Sequence, residues 1–104
     1  MKISVAMAYY NGGTYIEEQM ESILMQLGEK DELIVSVDGA TDGSEPLLLK
    51  MADMDRRIHI IKGPGKGVVK NFENAIRHCV GDIIYLSDQD DIWKPDKVEK
   101  TNAA

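Results

Sequence analysis

Three carboxylates stand within four residues at the point where an apolar run ends: Asp88, Asp90 and Asp91. Acidic side chains crowded at a strand end repel one another and lose hydration, unless a cation lies among them. Carboxylate oxygens suit a hard ion such as Mg²⁺ or Mn²⁺. An Asp-x-Asp pair in this place can hold such an ion against the phosphates of a ligand. The chemistry indicated is that of an enzyme whose donor carries a diphosphate.

Helix capping is the plainer explanation for the same acids. Asp91 can cap a helix that Pro95 opens, because an acid near a helix start interacts favourably with the helix dipole. Capping needs one acid and not three. We therefore favour metal binding for Asp88 and Asp90, and both roles stay open for Asp91.

Apolar periodicity along the chain alternates between strands and helices, which predicts a parallel sheet with helices on both faces. The expected fold class is therefore α/β, Rossmann-like, in one domain over residues 1–104. Ligands of such sheets bind beyond the carboxyl ends of the strands, where the loops 9–14, 38–44 and 88–93 are expected to meet. The predicted strands are 3–8, 33–37, 58–61 and 82–86, and the predicted helices are 14–27, 44–54, 68–80 and 95–104.

Each of the first three helices carries an apolar stripe that is predicted to face the sheet. Cys79 is expected to be a small core residue in the third stripe. The three stripes are Ile16, Met20, Ile23, Leu24 and Leu27; Leu47, Leu48, Met51 and Met54; and Val68, Phe72, Ala75, Ile76 and Cys79.

Composition narrows the function classes. The net charge is −6, with 12 basic and 18 acidic residues and no basic stripe, which argues against binding nucleic acid or an anionic membrane surface. A single cysteine precludes an internal disulfide and fits a reducing compartment. No apolar run has membrane-spanning length. We expect a cytoplasmic location, with membrane association of a longer protein left open.

Two rival classes of metal protein are disfavoured by particular positions. Phosphotransfer enzymes with an acidic metal site place an Asp after the first strand, where this chain has Ala8, Tyr9 and Tyr10. An EF-hand loop beginning at Asp38 would need oxygen ligands at Ala40 and Leu49. A non-catalytic nucleotide-sugar-binding domain remains an open alternative.

Four stretches of the chain resemble the nucleotide-binding half of the family 2 glycosyltransferases, which have the GT-A fold. The fourth is especially similar to rhamnosyltransferase-like members. Their order matches that family, and together they extend over most of the chain. The stretches are Val5–Gly12, with Tyr-Asn after the first strand; Asp38–Ser44, an Asp-Gly-Ala-Thr-Asp-Gly-Ser loop; Gly67–Asn71; and Gly81–Trp93, with Ser-Asp-Gln-Asp-Asp.

This resemblance implies transfer of a sugar, of the hexosyl type, from a UDP- or dTDP-sugar to a glycan or polysaccharide acceptor with Mn²⁺ or Mg²⁺. Asp90 would bind the metal with Asp88 or Asp91, and Asp88 would also contact the ribose or diphosphate. Asp38 would contact the base, with Tyr10 nearby, and Lys66 or Lys70 would lie on the phosphate or base side. The implied nucleotide-sugar site comprises Ala8, Tyr10, Asn11, Asp38, Lys66, Lys70 and Asp88.

The chain also departs from the family pattern. Tyr9 stands where a threonine is common, and Val37 stands where an aspartate is common. The Val37 departure puts one base contact in doubt, but not the metal. The family's acceptor half and catalytic base have no counterpart, so the base is expected beyond Ala104 and the chain alone is expected to be an inactive fragment. A sheet edge carrying Ile83, Ile84 and Leu86 would then be exposed and could mediate self-association.

Overall fold

The computed structural model describes residues 2–10, 16–38 and 45–88, with only the backbone described at Glu45 and Asp88. Four strands alternate with three helices in this part of the chain, as the periodicity predicts. The strands are β1 (Ile3–Tyr9), β2 (Glu32–Val37), β3 (Ile58–Lys62) and β4 (Ile83–Asp88), and the helices are α1 (Ile16–Leu24), α2 (Glu45–Met54) and α3 (Val68–Arg77).

All four strands are parallel and lie in the order β3-β2-β1-β4. The chain adds β2 and β3 on one side of β1 and then returns to place β4 on the other side. The direction of strand addition therefore reverses between β1 and β4, which is where ligands bind in sheets of this type. The predicted α/β class with a parallel sheet is confirmed.

The larger core lies on the face of the sheet covered by α1 and α2. Alternate β1 residues Val5, Met7 and Tyr9 point to this side, because successive strand side chains face opposite ways. All three are fully buried. The other members of this cluster include Ile16, Met20, Ile23 and Leu27 from α1 and the turn after it, Leu33, Val35 and Val37 from β2, and Leu48 from α2.

A smaller core lies under α3 on the opposite face. It is built from Ala6, Ile34 and Ala75, with Ile61 and Cys79 packed against it. Cys79, which is predicted to be a small core residue, is half-buried and packs against this cluster from its margin.

The predicted inward faces of α2 and α3 need correction. Met54 is 78% exposed because it is the last residue of α2, and Val68 is 58% exposed at the first position of α3. Ile76 is also exposed, whereas Asn71 and Ala75 are buried. The sheet-facing side of α3 is thus rotated away from its most apolar stripe.

The end of α1 is fixed by an arginine from the turn before β3. The Arg57 guanidinium donates from Nη1 to the carbonyl oxygens of Leu24 and Leu27, at 3.0 and 2.8 Å. Asp55 accepts from the same guanidinium at 2.7 Å. These contacts satisfy helix-end carbonyls that have no partner within the helix. Helix α1 ends at Leu24, three residues before the predicted end at residue 27.

None of the helices in the described ranges is long and apolar enough to cross a membrane.

Candidate nucleotide-sugar site

The carboxyl edge of the sheet is tied together by main-chain hydrogen bonds beyond the strand ends. The Asp38 N–H donates to the Tyr9 carbonyl oxygen at 2.9 Å, and the Gly63 N–H donates to the Val37 carbonyl oxygen at 2.7 Å. These bonds continue the β1–β2 and β2–β3 ladders by one residue. The edge thus holds the start of the loop after β2 against the strands on either side.

Asp38 is half-buried at this edge, between β1 and the loop after β3. Its carboxylate makes no hydrogen bond or ion pair with any residue in the described ranges. A Cβ built on Gly65 would lie 3.7 Å from Asp38 Oδ1, so the loop passes beside this carboxylate. An acid without a structural partner at a ligand-binding edge is suited to hydrogen-bond a ligand.

Asp88 is the last residue of β4, two residues beyond the predicted end of that strand. In the parallel register it lies beside Ala8 of β1, whose side chain is 3% exposed. This places residue 88 at the point where strand order reverses. Its side chain lies outside the described part, as do residues 90 and 91 and Asn11.

The other residues predicted to contact the nucleotide sugar differ in how exposed and how free of ion pairs their side chains are. Lys66 is exposed between Gly65 and Gly67, which have φ angles of 72° and 95°, and it makes no ion pair within the described ranges. Lys70 Nζ lies 3.3 Å from Glu73 Oε2 on the exposed side of α3. Tyr10 is 57% exposed directly after β1. Of the two lysines, Lys66 is the freer to reach a phosphate.

Sequence reasoning did not single out Asn71 as a site residue. Its side chain is 2% exposed, and its Nδ2 atom donates to the Tyr9 carbonyl oxygen at 3.3 Å. It therefore touches the same carbonyl as the Asp38 N–H. The sequence signal that could have identified Asn71 is its side-chain amide, which occupies a sheet-facing helix position just after a Gly-rich loop.

The groups with shifted pKa values lie away from this edge. At the amino edge, burial acts to raise the pKa of Glu32, but hydrogen bonds from Ser4 and the Val80 N–H and the charge of Lys2 outweigh it and lower the pKa. Burial and the nearby Glu32 raise the pKa of Cys79 to about 11. No cluster of three metal-ligating side chains occurs within residues 2–10, 16–38 and 45–88. The shifted groups at the amino edge therefore serve the structure.

Strand order, parallel pairing and the polar carboxyl edge define this chain as a ligand-binding α/β domain of the doubly wound kind. A sequence profile described as "Glycosyl transferase family 2" matches residues 4–103. The chain belongs to glycosyltransferase family 2.

Two bacterial relatives illustrate the sequence similarity. TuaG of Bacillus subtilis, named as a glycosyltransferase of teichuronic acid biosynthesis, is 35% identical over 101 residues, which cover 94% of this chain and 39% of TuaG. The glycosyltransferase GlyG of Streptococcus pneumoniae is 34% identical over 98 residues, covering 93% of this chain and 33% of GlyG. The chain thus spans between a third and two-fifths of the length of these relatives.

Solved structures of two glycosyltransferases share the fold, which is of the GT-A type. TarS of S. aureus superposes with a TM-score of 0.84 at 22% identity, covering 99% of this chain and 32% of that structure. The mannosyltransferase PcManGT of Pyrobaculum calidifontis, solved with GDP-Man and Mn²⁺, gives 0.83 at 25% identity, covering 92% and 30%. The prediction of a GT-A-type fold is confirmed.

Proposed function

We propose that this chain binds the donor and metal of an enzyme that transfers a hexosyl group from a nucleotide-diphosphate sugar to a glycan or polysaccharide. The observation that carries the proposal is the pair of acids beside β1. Asp38 follows β2 with a carboxylate that bonds to none of the described residues, and β4 ends in Asp88 at the reversal of strand order. Proteins with a similar fold bind such donors, since TarS has been solved with UDP-GlcNAc and PcManGT with GDP-Man.

The set of candidate metal ligands fits a hard divalent ion, Mn²⁺ or Mg²⁺. All the candidate ligands are carboxylate oxygens, from Asp90 with Asp88 or Asp91, and the backbone of β4 brings residue 88 to the carboxyl edge. When bound there, the ion would stabilise the negative charge that develops on the departing diphosphate. The presence of Mn²⁺ in the PcManGT structure supports this assignment.

The other residues of the edge would bind and orient the nucleotide. Asp38 accepts hydrogen bonds from the base, and Tyr10 packs near it. Lys66 offers a charge to the phosphates from the loop after β3, which suits it better than Lys70 with its Glu73 partner. We also assign Ala8 of β1, and Asn11 on the family resemblance alone, to the same site.

Acceptor binding and catalysis would need groups beyond those described. A general base must lie within hydrogen-bond reach of the attacking acceptor hydroxyl. We assign no described residue to that role, and we place the base and the acceptor site in the part of the relatives' length that this chain does not span. On this proposal the 104-residue domain binds donor without transferring sugar, and its location is cytoplasmic.

The decisive test is calorimetric titration of UDP, dTDP and GDP with and without Mn²⁺ or Mg²⁺. We expect Asp90→Ala to remove the metal-dependent part of the affinity, a loss of at least about tenfold, or roughly 1.4 kcal/mol. Asp53→Ala is the matched control, because Asp53 is an exposed acid on α2 and lies far along the chain from Asp90.

Two results would contradict the proposal. One is a nucleotide affinity of the unchanged chain that does not respond to either metal, and the other is full metal-dependent affinity in Asp90→Ala. A sugar-transfer assay on a chain of the relatives' full length then separates a transferase from a non-catalytic donor-binding domain.

A further inference from the structure

A buried side-chain amide ties helix α3 to the end of β1 under the candidate site. Asn71 of α3 donates from Nδ2 to the Tyr9 carbonyl oxygen at 3.3 Å, and that carbonyl also accepts the Asp38 N–H at 2.9 Å. One carbonyl at the end of β1 therefore links the helix to the first residue after β2. The position of Asp38 depends on where this carbonyl lies.

Gly63, the first residue after β3, fills the space between Asn71 and Asp38. A Cβ built on Gly63 would lie 2.6 Å from Asn71 Oδ1 and 3.0 Å from both Cα and Cβ of Asp38. The Gly63 N–H is itself bonded to the Val37 carbonyl oxygen at 2.7 Å. Asn71, Gly63 and Asp38 thus pack in one layer, with no room for a side chain between them.

Stability alone does not explain an asparagine at this position. The Asn71 Oδ1 atom is buried, and no donor within the described ranges satisfies it. A buried acceptor without a donor is unfavourable, and an apolar residue of similar shape would avoid that cost. Asn74, three residues along, already ties α3 to the sheet with 2.9 Å bonds to Ser36 Oγ and the Lys62 carbonyl oxygen.

We propose that Asn71 is a positioning residue of the donor site, which holds the end of β1 and the Gly63 backbone so that the Asp38 carboxylate faces the nucleotide. Asn71 does not touch the nucleotide itself. Its effect reaches the ligand through the Tyr9 carbonyl and the Asp38 backbone. This inference rests on the proposed function, because it assigns Asp38 to nucleotide binding.

The test compares Asn71→Leu with Asn74→Leu in the same chain, by nucleotide titration and urea unfolding. Asn71→Leu keeps the branching and the number of heavy atoms of the side chain, removes the Tyr9 bond and removes the unsatisfied acceptor. We expect it to leave the urea midpoint unchanged or raised and to weaken nucleotide binding about tenfold. Asn74→Leu loses two bonds to the sheet, so it should lower the midpoint while leaving the affinity within about twofold.

Two additions keep the test decisive. Asn71→Ala gives the same comparison without a bulky group near Gly63, should Asn71→Leu fail to fold. Amide hydrogen exchange at Asp38 provides a readout without ligand, and we expect faster exchange in the Asn71 variants than in Asn74→Leu.

The outcomes separate this inference from the proposed function. If Asp38→Asn weakens nucleotide binding but neither Asn71 variant does, the positioning role is overturned and the donor site stands. If the unchanged chain binds no nucleotide diphosphate, the proposed function is overturned and the positioning role is overturned with it. Weaker binding in both the Asn71 and the Asn74 variants, in proportion to their loss of stability, would also overturn the positioning role.

Discussion

At the scale of single residues, Gly63 shows how a loop position can be dictated by packing. The Lys62–Gly67 stretch reads as a mobile Gly-rich loop, yet its first glycine is enclosed by Asn71 and Asp38. A glycine is needed there because two side chains and the backbone approach one another closely, and not because the loop must be mobile. A methyl group at Gly63 would push directly on the residue that is proposed to bind the base.

We expect Gly63→Ala to destabilise the chain by about 1–3 kcal/mol, because an added methyl in a filled space forces its neighbours apart. Urea unfolding at neutral pH measures the loss, and nucleotide titration should show weaker binding. Gly28→Ala is the control, since a Cβ there would be 3.5 Å from Asp31 Oδ2, an ordinary contact. Equal stability of the two variants would refute the packing argument.

At the scale of secondary-structure elements, the amino edge of the sheet is joined by a buried carboxylate. Glu32 Oε2 at the start of β2 accepts from Ser4 Oγ of β1 at 2.6 Å and from the Val80 N–H at 2.8 Å. The Gly81 N–H in turn donates to Ser4 Oγ at 2.8 Å. This network fixes the turn between α3 and β4 against the two central strands.

The network predicts how stability responds to acid. Because the folded-state pKa of Glu32 is lowered from 4.5, its contribution to stability is present above that value. The contribution is lost as the pH falls below about 4.5 and through the lower folded-state pKa. The lowered pKa of Asp55, set chiefly by its hydrogen bond to Arg57, acts in the same direction.

We expect Glu32→Gln to be less stable than the unchanged chain by about 1–3 kcal/mol at pH 7, because the charged acceptor of the hydrogen bonds from Ser4 and Val80 is lost. The difference should shrink as the pH is lowered from 5 to 3. Urea unfolding across this range measures both effects. Glu29→Gln, at an exposed acid, is the control. A stability difference that is constant with pH would show that the Glu32 charge is not responsible.

At the scale of the whole molecule, the two faces of the sheet are covered unequally. Tyr85 and Ser87 of β4 are buried on the side of α1 and α2. On the side of α3, Ile84 and Leu86 are 41% and 55% exposed, beside Ser4 and Ala6 in the register. In the described sheet β4 pairs only with β1, so apolar side chains and an unpaired strand edge occur together.

We propose self-association of this chain through that surface, since exposed apolar residues on an edge strand favour pairing with another chain. Leu86→Lys should shift the population towards monomer, as measured by light scattering over a concentration series. Leu49→Lys is the matched control, because Leu49 is a similarly exposed leucine on α2, at 51%. A chain that stays monomeric at high concentration would contradict the proposal.

The sequence by itself determined the order of the elements, the α/β class and the loops that gather at the carboxyl edge, because helix and strand periods are local patterns. It also indicated the stripe on α1, where Ile16, Met20 and Ile23 are fully buried. Family resemblance supplied the predicted role of Asp38, whereas the crowding of carboxylates at a strand end already indicated metal binding by Asp88. The placement of both residues at one edge then followed from parallel pairing.

Only the tertiary structure decided which side of α3 meets the sheet and what surrounds Gly63. The periodicity of α3 favours Val68 and Ile76, but Asn71 donates to the Tyr9 carbonyl oxygen and Ala75 packs against Ala6 and Ile34, so these two residues face inward. Such choices depend on partners 62 residues apart in sequence, as with Asn71 and Tyr9. Local patterns carry no record of these partners, because the hydrogen bonds and close contacts form only when the sheet assembles.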